Sequence, residues 1–546
     1  MVIIFGENVS FDHYFGTYPN AANLAGETPF RAAAGTPVAN NLKTPLDVNH
    51  GFAPLGGVDL LGNNPNLTNA ANGTNASNPI RLTPAQASTA DQGHNYKPEQ
   101  QASNGGAMDL FPLFTGSALI PGLGAPPSGQ NLVMGYYDGN TVTALWNYAQ
   151  HFAMNDNSWT TQFGPSTPGA LNLIAGQTNG MIMGNKPFTM FSASHVVADG
   201  QGGFTMIGDT DPLNDVCSVA SDQNLMAGKN IGDLLNDKGI TWGSFMGGFD
   251  LNITNPNGTS GCGRFTNPTQ SPFAGANVDY IPHHAWFQYY ASTANPQHLR
   301  PSSVAAIGSS KTVDNHAEPA NHNYDSHDFF DALAAGNLPA VNFVKAPAFQ
   351  DGHAGYSNPV DEQAFVISVV NALQQSKFWG TTAVIIAYDD SDGWYDHQAP
   401  PIVNPSSLAA IGSPAGATDT TDQLNGPGLC NSTTAQQGHA ALTTALPGIS
   451  GTMPVLGRCG YGTRMPLLVI SPFAKKNFID HTLTDQSSVL RFIEDNWLAG
   501  QRIQPGASFD TIAGPIDGMF DFAAQAPAVA QHVLYLDPAT GLEMAR

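Results

Sequence analysis

Positive charge is scarce in this chain. It carries 19 Lys+Arg against 42 Asp+Glu, a formal net charge of −23 over 546 residues. Polyanionic backbones are captured with clustered Lys and Arg, and no such cluster is present. A nucleic-acid polymer is therefore excluded as a partner, and anionic lipid exerts no electrostatic pull. Long apolar runs are also missing. None approaches the roughly 18 residues that a spanning helix needs. Charged residues of all kinds make up only 11%, so the surface must be built largely from Asn, Gln, Ser, Thr, Gly and Ala. Cysteines are few: Cys217, Cys262, Cys430 and Cys459, none in a CxxC pair. That argues against a cysteine zinc site. The four are either free buried thiols or two disulfides, most simply Cys217–Cys262 and Cys430–Cys459. The lysine-poor, Asn/Gly-rich composition favours the second arrangement and an exported protein. The chain opens on the apolar run Met1–Phe5, which reads as a core strand and suggests that a leader has been removed.

Hydrophobic residues, at 41%, suffice for a large core. Short apolar runs bounded by turn residues predict strands at Val2–Phe5, Gly239–Phe245, Ala340–Val344, Ala383–Ala387 and Leu467–Ile470. Helical patterns over Asp328–Ala335, Glu362–Ser376 and Gln486–Trp497 alternate with them. Helix followed by apolar strand, repeated, predicts an α/β fold with a mostly parallel sheet. Residues 20–132 and 402–458 are polar, Asn/Pro/Gly-rich and without period. They are read as long insertions in a single catalytic domain spanning 1–546 rather than as separate domains.

Glu7 and Asn8 stand just past the first strand, where α/β sheets bind ligands. A carboxylate and an amide oxygen are hard ligands for a divalent cation. The plainer alternative is a helix cap from Asn8 or Ser10 near Phe11. Asp389 and Asp390 directly follow the strand at 383–387. Adjacent carboxylates are costly unless a cation neutralises them. In Gly164-Pro165-Ser166-Thr167-Pro168, two hydroxyls precede an apolar run. Either could be an ordinary N-cap. A hydroxyl at a helix start could also attack a phosphorus held there. With so few lysines and arginines, the 16 histidines are the expected source of positive charge. Loop residues His94, His283, His284, His322, His327 and His353 are candidates to bind phosphate oxygens or protonate a leaving alcohol.

Together these motifs resemble the bacterial phosphoesterase family that contains phospholipase C and acid phosphatase A, and within it the acid phosphatase branch most. The resemblance rests on Ile4–Gly16, Gly164–Pro168, Pro282-His283-His284, Gly336–Val341, Asp351-Gly352-His353, Asp389-Asp390, Tyr395-Asp396-His397 and Tyr461–Pro466. It implies an alkaline-phosphatase-like three-layer α/β/α sandwich. It implies one divalent metal on Glu7, Asn8, Asp389, Asp390 and Ser166, of calcium, magnesium, manganese, zinc or iron type. Ser166 would be the nucleophile, with His94, His284 (or its neighbour His283) and His353 lining the phosphate pocket. The expected activity is broad phosphomonoester hydrolysis through a phosphoserine, acting on a small phosphate ester in the periplasm or outside the cell. The alternative is a phospholipase C that cleaves phosphodiesters. A catalytically inert, metal-binding surface protein is the rival from another class, and the intact Glu-Asn-Ser-Asp-Asp set counts against it.

Overall fold

The computed structural model describes residues 1–116, 131–412, 420–431, 445–523 and 532–544. Parts of the two expected insertions (117–130, 413–419 and 432–444) therefore lie outside the described residues.

Nine strands form the central sheet: β1 (Val2–Gly6), β2 (Ala153–Trp159), β3 (Trp242–Met246), β4 (Asn323–Asp325), β5 (Val341–Lys345), β6 (Val384–Tyr388), β7 (Arg464–Ile470), β8 (Phe478–Asp480) and β9 (Thr484–Asp485). The order is β4-β3-β5-β1-β6-β7-β2-β8, with β9 also on β2. β1 lies parallel between β5 and β6, with Val2 opposite both Asn342 and Val384. All five residues of β1, β5 and β6 are buried. Continuous apolar runs such as Val-Ile-Ile-Phe are what a strand covered on both faces requires.

The sheet is mostly parallel, as expected, with one strand reversed. β7 runs antiparallel to both β6 and β2. An apolar run carries no direction; the chain returns to the sheet only after the long excursion from Asp389 to Thr463, and enters it reversed. β2, Ala-Met-Asn-Asp-Asn-Ser-Trp, escapes apolar-run reading altogether. Its polar side chains are buried but satisfied: Asn155 donates to the Thr482 carbonyl (2.9 Å), Asn157 to that of His481 (2.9 Å), and Asp156 accepts from the Asn40 amide (2.7 Å).

The helices that matter for function are α1 (Phe11–Phe15), α2 (Tyr96–Ser103), α3 (Thr143–His151), α4 (Ser166–Ala175), α5 (Ile231–Lys238), α6 (Ser326–Ala335), α7 (Pro359–Gln375) and α8 (Gln486–Trp497). α4 packs on α8 and α5, and α3 packs on α7. No helix among the described residues is long and apolar enough to cross a membrane.

Both expected disulfides are present, Cys217–Cys262 and Cys430–Cys459, with Cα atoms 5.2 and 5.8 Å apart. On the chain-entropy view each adds at most about 4 kcal/mol.

Candidate active site

Three segments converge above the carboxyl ends of the central strands. Glu7 and Asn8 leave β1, and Asp389 and Asp390 leave β6. Ser166 opens α4, which is laid across them. The approach is close: a Cβ on Gly169 would sit 1.9 Å from the Asp389 carbonyl oxygen, so only glycine fits there. Ser10, not Asn8, caps α1, accepting from the His13 amide (3.2 Å). Asn8 is thus released from capping, and it adopts φ +51°, a left-handed conformation that asparagine tolerates better than most residues. Neither Ser166 nor Thr167 caps α4. The cap position is Pro165, and the Asp209 carboxylate instead accepts from the Thr167 amide (3.0 Å) and hydroxyl (2.9 Å).

The Ser166 hydroxyl lies 3.1 Å from Glu7 Oε2, 3.1 Å from Asp390 Oδ2 and 3.4 Å from Asn8 Oδ1. It has one proton for three acceptors. The Asn8 amide end facing these groups is 2.6 Å from Glu7 Oε2 and 2.9 Å from Asp389 Oδ1. Turned one way it donates its N–H bonds there. Turned the other way, its oxygen completes an all-acceptor set that only a cation reconciles. Asp389 Oδ2, fully buried, has no hydrogen-bond donor among the described residues. Burial and the Glu7 carboxylate push Asp389 well above the usual carboxylate range. Burial also pushes Asp390 up, against the pull of His94. A bound divalent cation would reverse both directions. The donor set is therefore compatible with a bound metal ion.

Lys345, the last residue of β5, ion-pairs with Glu7 Oε1 and stands 3.7 Å from Asp389 Oδ2. Burial works against the Glu7 anion, yet His284 and Lys345 hold it below the ordinary range. This lysine escapes sequence reading, which assigns the site's positive charge to histidine. The available signal is a lysine closing an otherwise apolar strand in a lysine-poor chain.

The histidines divide. His284 Nδ1 is 3.2 Å from Glu7 Oε1, and its Nε2 has no hydrogen-bond partner among the described residues. Burial holds it well below the ordinary histidine range, against the Glu7 charge. His283 is 31% exposed and lies 4.0 Å from Asp211, away from Glu7. His353 Nε2 faces the Asn8 amide at 3.1 Å, and burial lowers its proton affinity. His94 Nδ1 meets the Gln92 carbonyl (2.8 Å), Asp392 (3.2 Å) and Asp91 (3.4 Å). Burial opposes its charge, but Asp390, Asp392 and Asp91 raise it well above the ordinary value. The His94 and His353 rings are 6.0 Å apart. His322 stacks on Trp242 and bonds its carbonyl, and His327 meets Asp250; neither joins the cluster.

Two buried carboxylates support the site without being visible in the sequence. Glu99 on α2 accepts from the Gly164 amide (2.8 Å) and the Ser391 hydroxyl (2.6 Å), tying the two site loops together. Burial raises it to about 7. Glu362 accepts from Tyr14 (2.6 Å) and Tyr388 (2.7 Å), and burial likewise raises it to about 7.

The chain is similar to several phospholipases C. A non-hemolytic phospholipase C of Pseudomonas aeruginosa is 28% identical over 193 residues, 35% of this chain and 24% of that protein. The match thus spans about a quarter of that relative's length. Phospholipase C A of Mycobacterium tuberculosis is 22% identical over 532 residues, 96% of this chain and 77% of that protein. Phospholipase C B of the same organism is 22% identical over 534 residues, 96% and 78% respectively. Residues 1–499 match the phosphoesterase family, and the chain belongs to that family.

Proposed function

We propose that this protein hydrolyses phosphodiesters in the manner of a phospholipase C, through a phosphoryl intermediate on Ser166. The observation that carries the reading is the Ser166 hydroxyl at the start of α4, within 3.4 Å of Glu7, Asn8 and Asp390. The relatives named above are phospholipases C. Their activity favours the diester reading over the broad acid phosphatase expected from the motifs alone. The finer fold reading is an alkaline-phosphatase-like sandwich, one domain with insertions at 20–132 and 402–458. Two disulfides fit an oxidising compartment, and we read the protein as exported.

Glu7, Asn8, Asp389, Asp390 and Ser166 would hold one divalent cation, which supplies charge neutralisation and lowers the cost of an alkoxide. Ser166 Oγ passes its proton to the adjacent Asp390 carboxylate, 3.1 Å away, and attacks phosphorus. The P–Oγ bond forms as the bond to the alcohol oxygen breaks, and that oxygen takes a proton from a histidine. His94 suits this role, since three carboxylates favour its charged form. Water then attacks the phosphoserine, releases the phosphorylated head group and returns the Ser166 hydroxyl. His284 and His353 line the phosphate position, and Lys345 keeps Glu7 ionised.

The test is hydrolysis of p-nitrophenyl phosphorylcholine against p-nitrophenyl phosphate from pH 4 to 9, with and without divalent metals. Diester kcat/KM above that of the monoester is expected at neutral pH. A monoester preference of tenfold or more across the range would return the protein to the acid phosphatase branch.

A further inference from the structure

We propose that Asp209 is a specificity-determining residue that selects singly charged phosphate esters over doubly charged ones. The inference rests on the phosphoester reading above and deepens it. A helix N-terminus normally offers its free amides and positive end to a phosphate. Here the first of those amides beyond the nucleophile, Thr167 N–H, is already taken by the Asp209 carboxylate at 3.0 Å, and the Thr167 hydroxyl is taken at 2.9 Å. An anion is thereby fixed one residue from Ser166, at the end of α4 that carries the Ser166 hydroxyl.

Its charge is left uncompensated by side-chain cations: among the described residues no lysine or arginine pairs with it. The groups facing it are Tyr289, whose phenol feels both Asp209 and Asp211, and the His283 carbonyl, which accepts from the same Thr167 hydroxyl (3.1 Å). The His283 ring lies nearer Asp211, at 4.0 Å. A phosphodiester carries one negative charge. A phosphomonoester carries two above its second pKa of about 6. The dianion meets twice the repulsion from Asp209. At the distances of adjacent residues and a partly screened dielectric, one unit of charge corresponds to about a tenfold difference. Below the second pKa the monoester is a monoanion and the discrimination vanishes. The same residue therefore gives a neutral-pH diesterase with monoester turnover only on the acid side.

The experiment is Asp209→Asn in the metal-loaded protein, read as the ratio of monoester to diester kcat/KM. Asparagine keeps an oxygen to accept from Thr167 and removes only the charge. The expected result is a rise of about tenfold in that ratio at pH 7.5 and low salt. The rise should shrink at pH 5 and in 1 M salt. Asp314→Asn, at a carboxylate 72% exposed, changes the net charge equally and should not move the ratio. A ratio unchanged by Asp209→Asn, or moved as much by Asp314→Asn, overturns the proposal. If Asp209→Asn does not fold, Asp209→Ser, which keeps an acceptor, is read the same way. The wild-type ratio alone decides between diesterase and monoesterase. A monoester-preferring wild type with a responsive Asp209→Asn would sink the function reading and leave this one standing.

Discussion

Two buried acidic clusters lie near each other in sequence and differ in a single respect. The first is Glu7, Asn8, Asp389 and Asp390. The second is Asp12, Asp396 and His397. In the second, Arg464 reaches Asp396 Oδ2 from Nη2 (3.1 Å) and Nε (3.2 Å), and Asp12 Oδ1 at 3.4 Å. His397 Nδ1 meets Asp12 at 2.6 Å. Arg464 also donates to the Asn40 and Asp156 carbonyls (2.8 and 2.9 Å) and lies 4.4 Å over the Phe11 ring. Every one of these charges has a partner. In the first cluster, acceptors outnumber donors around Ser166 despite Lys345. Both clusters are acidic, buried and carried by motifs on which the resemblance rests. On the proposed function, the donor count separates a cluster that holds the fold from one that would take a cation.

The sharpest way to break the comparison is at Ser166. Ser166→Ala removes the oxygen proposed to attack phosphorus and no helix cap. Turnover should fall by at least about a thousandfold, while thermal unfolding stays within a few degrees of wild type. Turnover within tenfold of wild type would remove Ser166 as nucleophile.

Arg464→Met is the mirror image. It leaves Asp12 and Asp396 buried without their cation, which costs about 3–5 kcal/mol. The loss should appear in urea denaturation and in the yield of soluble protein. Equal effects of both substitutions on stability would erase the distinction between the clusters.

Proton linkage gives a third contrast, smaller because it is spread over several groups. Asp389 and Asp390 are raised in the folded chain, and Glu99 and Glu362 are raised to about 7. A raised carboxylate binds more protons folded than unfolded, so stability falls as pH rises from the unfolded value near 4 towards the folded one. The depressed Glu7 is ionised in both states above pH 5 and adds nothing there, whereas His284 and His353, lowered by burial, work in the opposite direction up to about pH 6.5 and are outnumbered by the four carboxylates. Metal-free protein should therefore melt lower at pH 7.5 than at pH 5, and added divalent metal should restore it at pH 7.5 through binding to the folded state. A melting temperature indifferent to both chelation and pH would argue against a metal on the first cluster.

How much of this was legible in the sequence follows from the same physics. The central strands and α8 are readable because their burial requires continuous or periodic apolar residues, as in Val2–Gly6. Glu7, Asn8, Asp389 and Asp390 are readable because each directly follows such a strand. β2 is not, since its buried Asn155, Asp156 and Asn157 depend on partners such as Thr482 and Asn40 that are far away in sequence. Nor is the direction of β7. Lys345, Glu99 and Asp209 stay hidden for the same reason: each acts through contacts across more than 40 residues, and a lone charged residue carries no pattern. The resemblance gave the shape of the site but not which of His283 and His284 turns inward; packing places His284 against Glu7.

Glu99 is the smallest and finest test of the comparison, because it belongs to neither kind. Its carboxylate is closed by two neutral donors, the Gly164 amide and the Ser391 hydroxyl. One donor lies two residues before Ser166 and the other directly follows Asp390. The helix that carries it is anchored in turn by Tyr96, which donates to Asp422 (2.6 Å) and accepts from the Cys459 amide (2.9 Å). Glu99→Gln offers one oxygen to two donors and turns an N–H toward the other. The expected cost is about 1–2 kcal/mol, read as a kcat reduced about tenfold with KM within twofold. Such a split means that Glu99 sets the spacing of the nucleophile and the Asp390 loop. A lowered melting temperature with kcat unchanged would instead place Glu99 with Arg464, as a residue that only holds the fold.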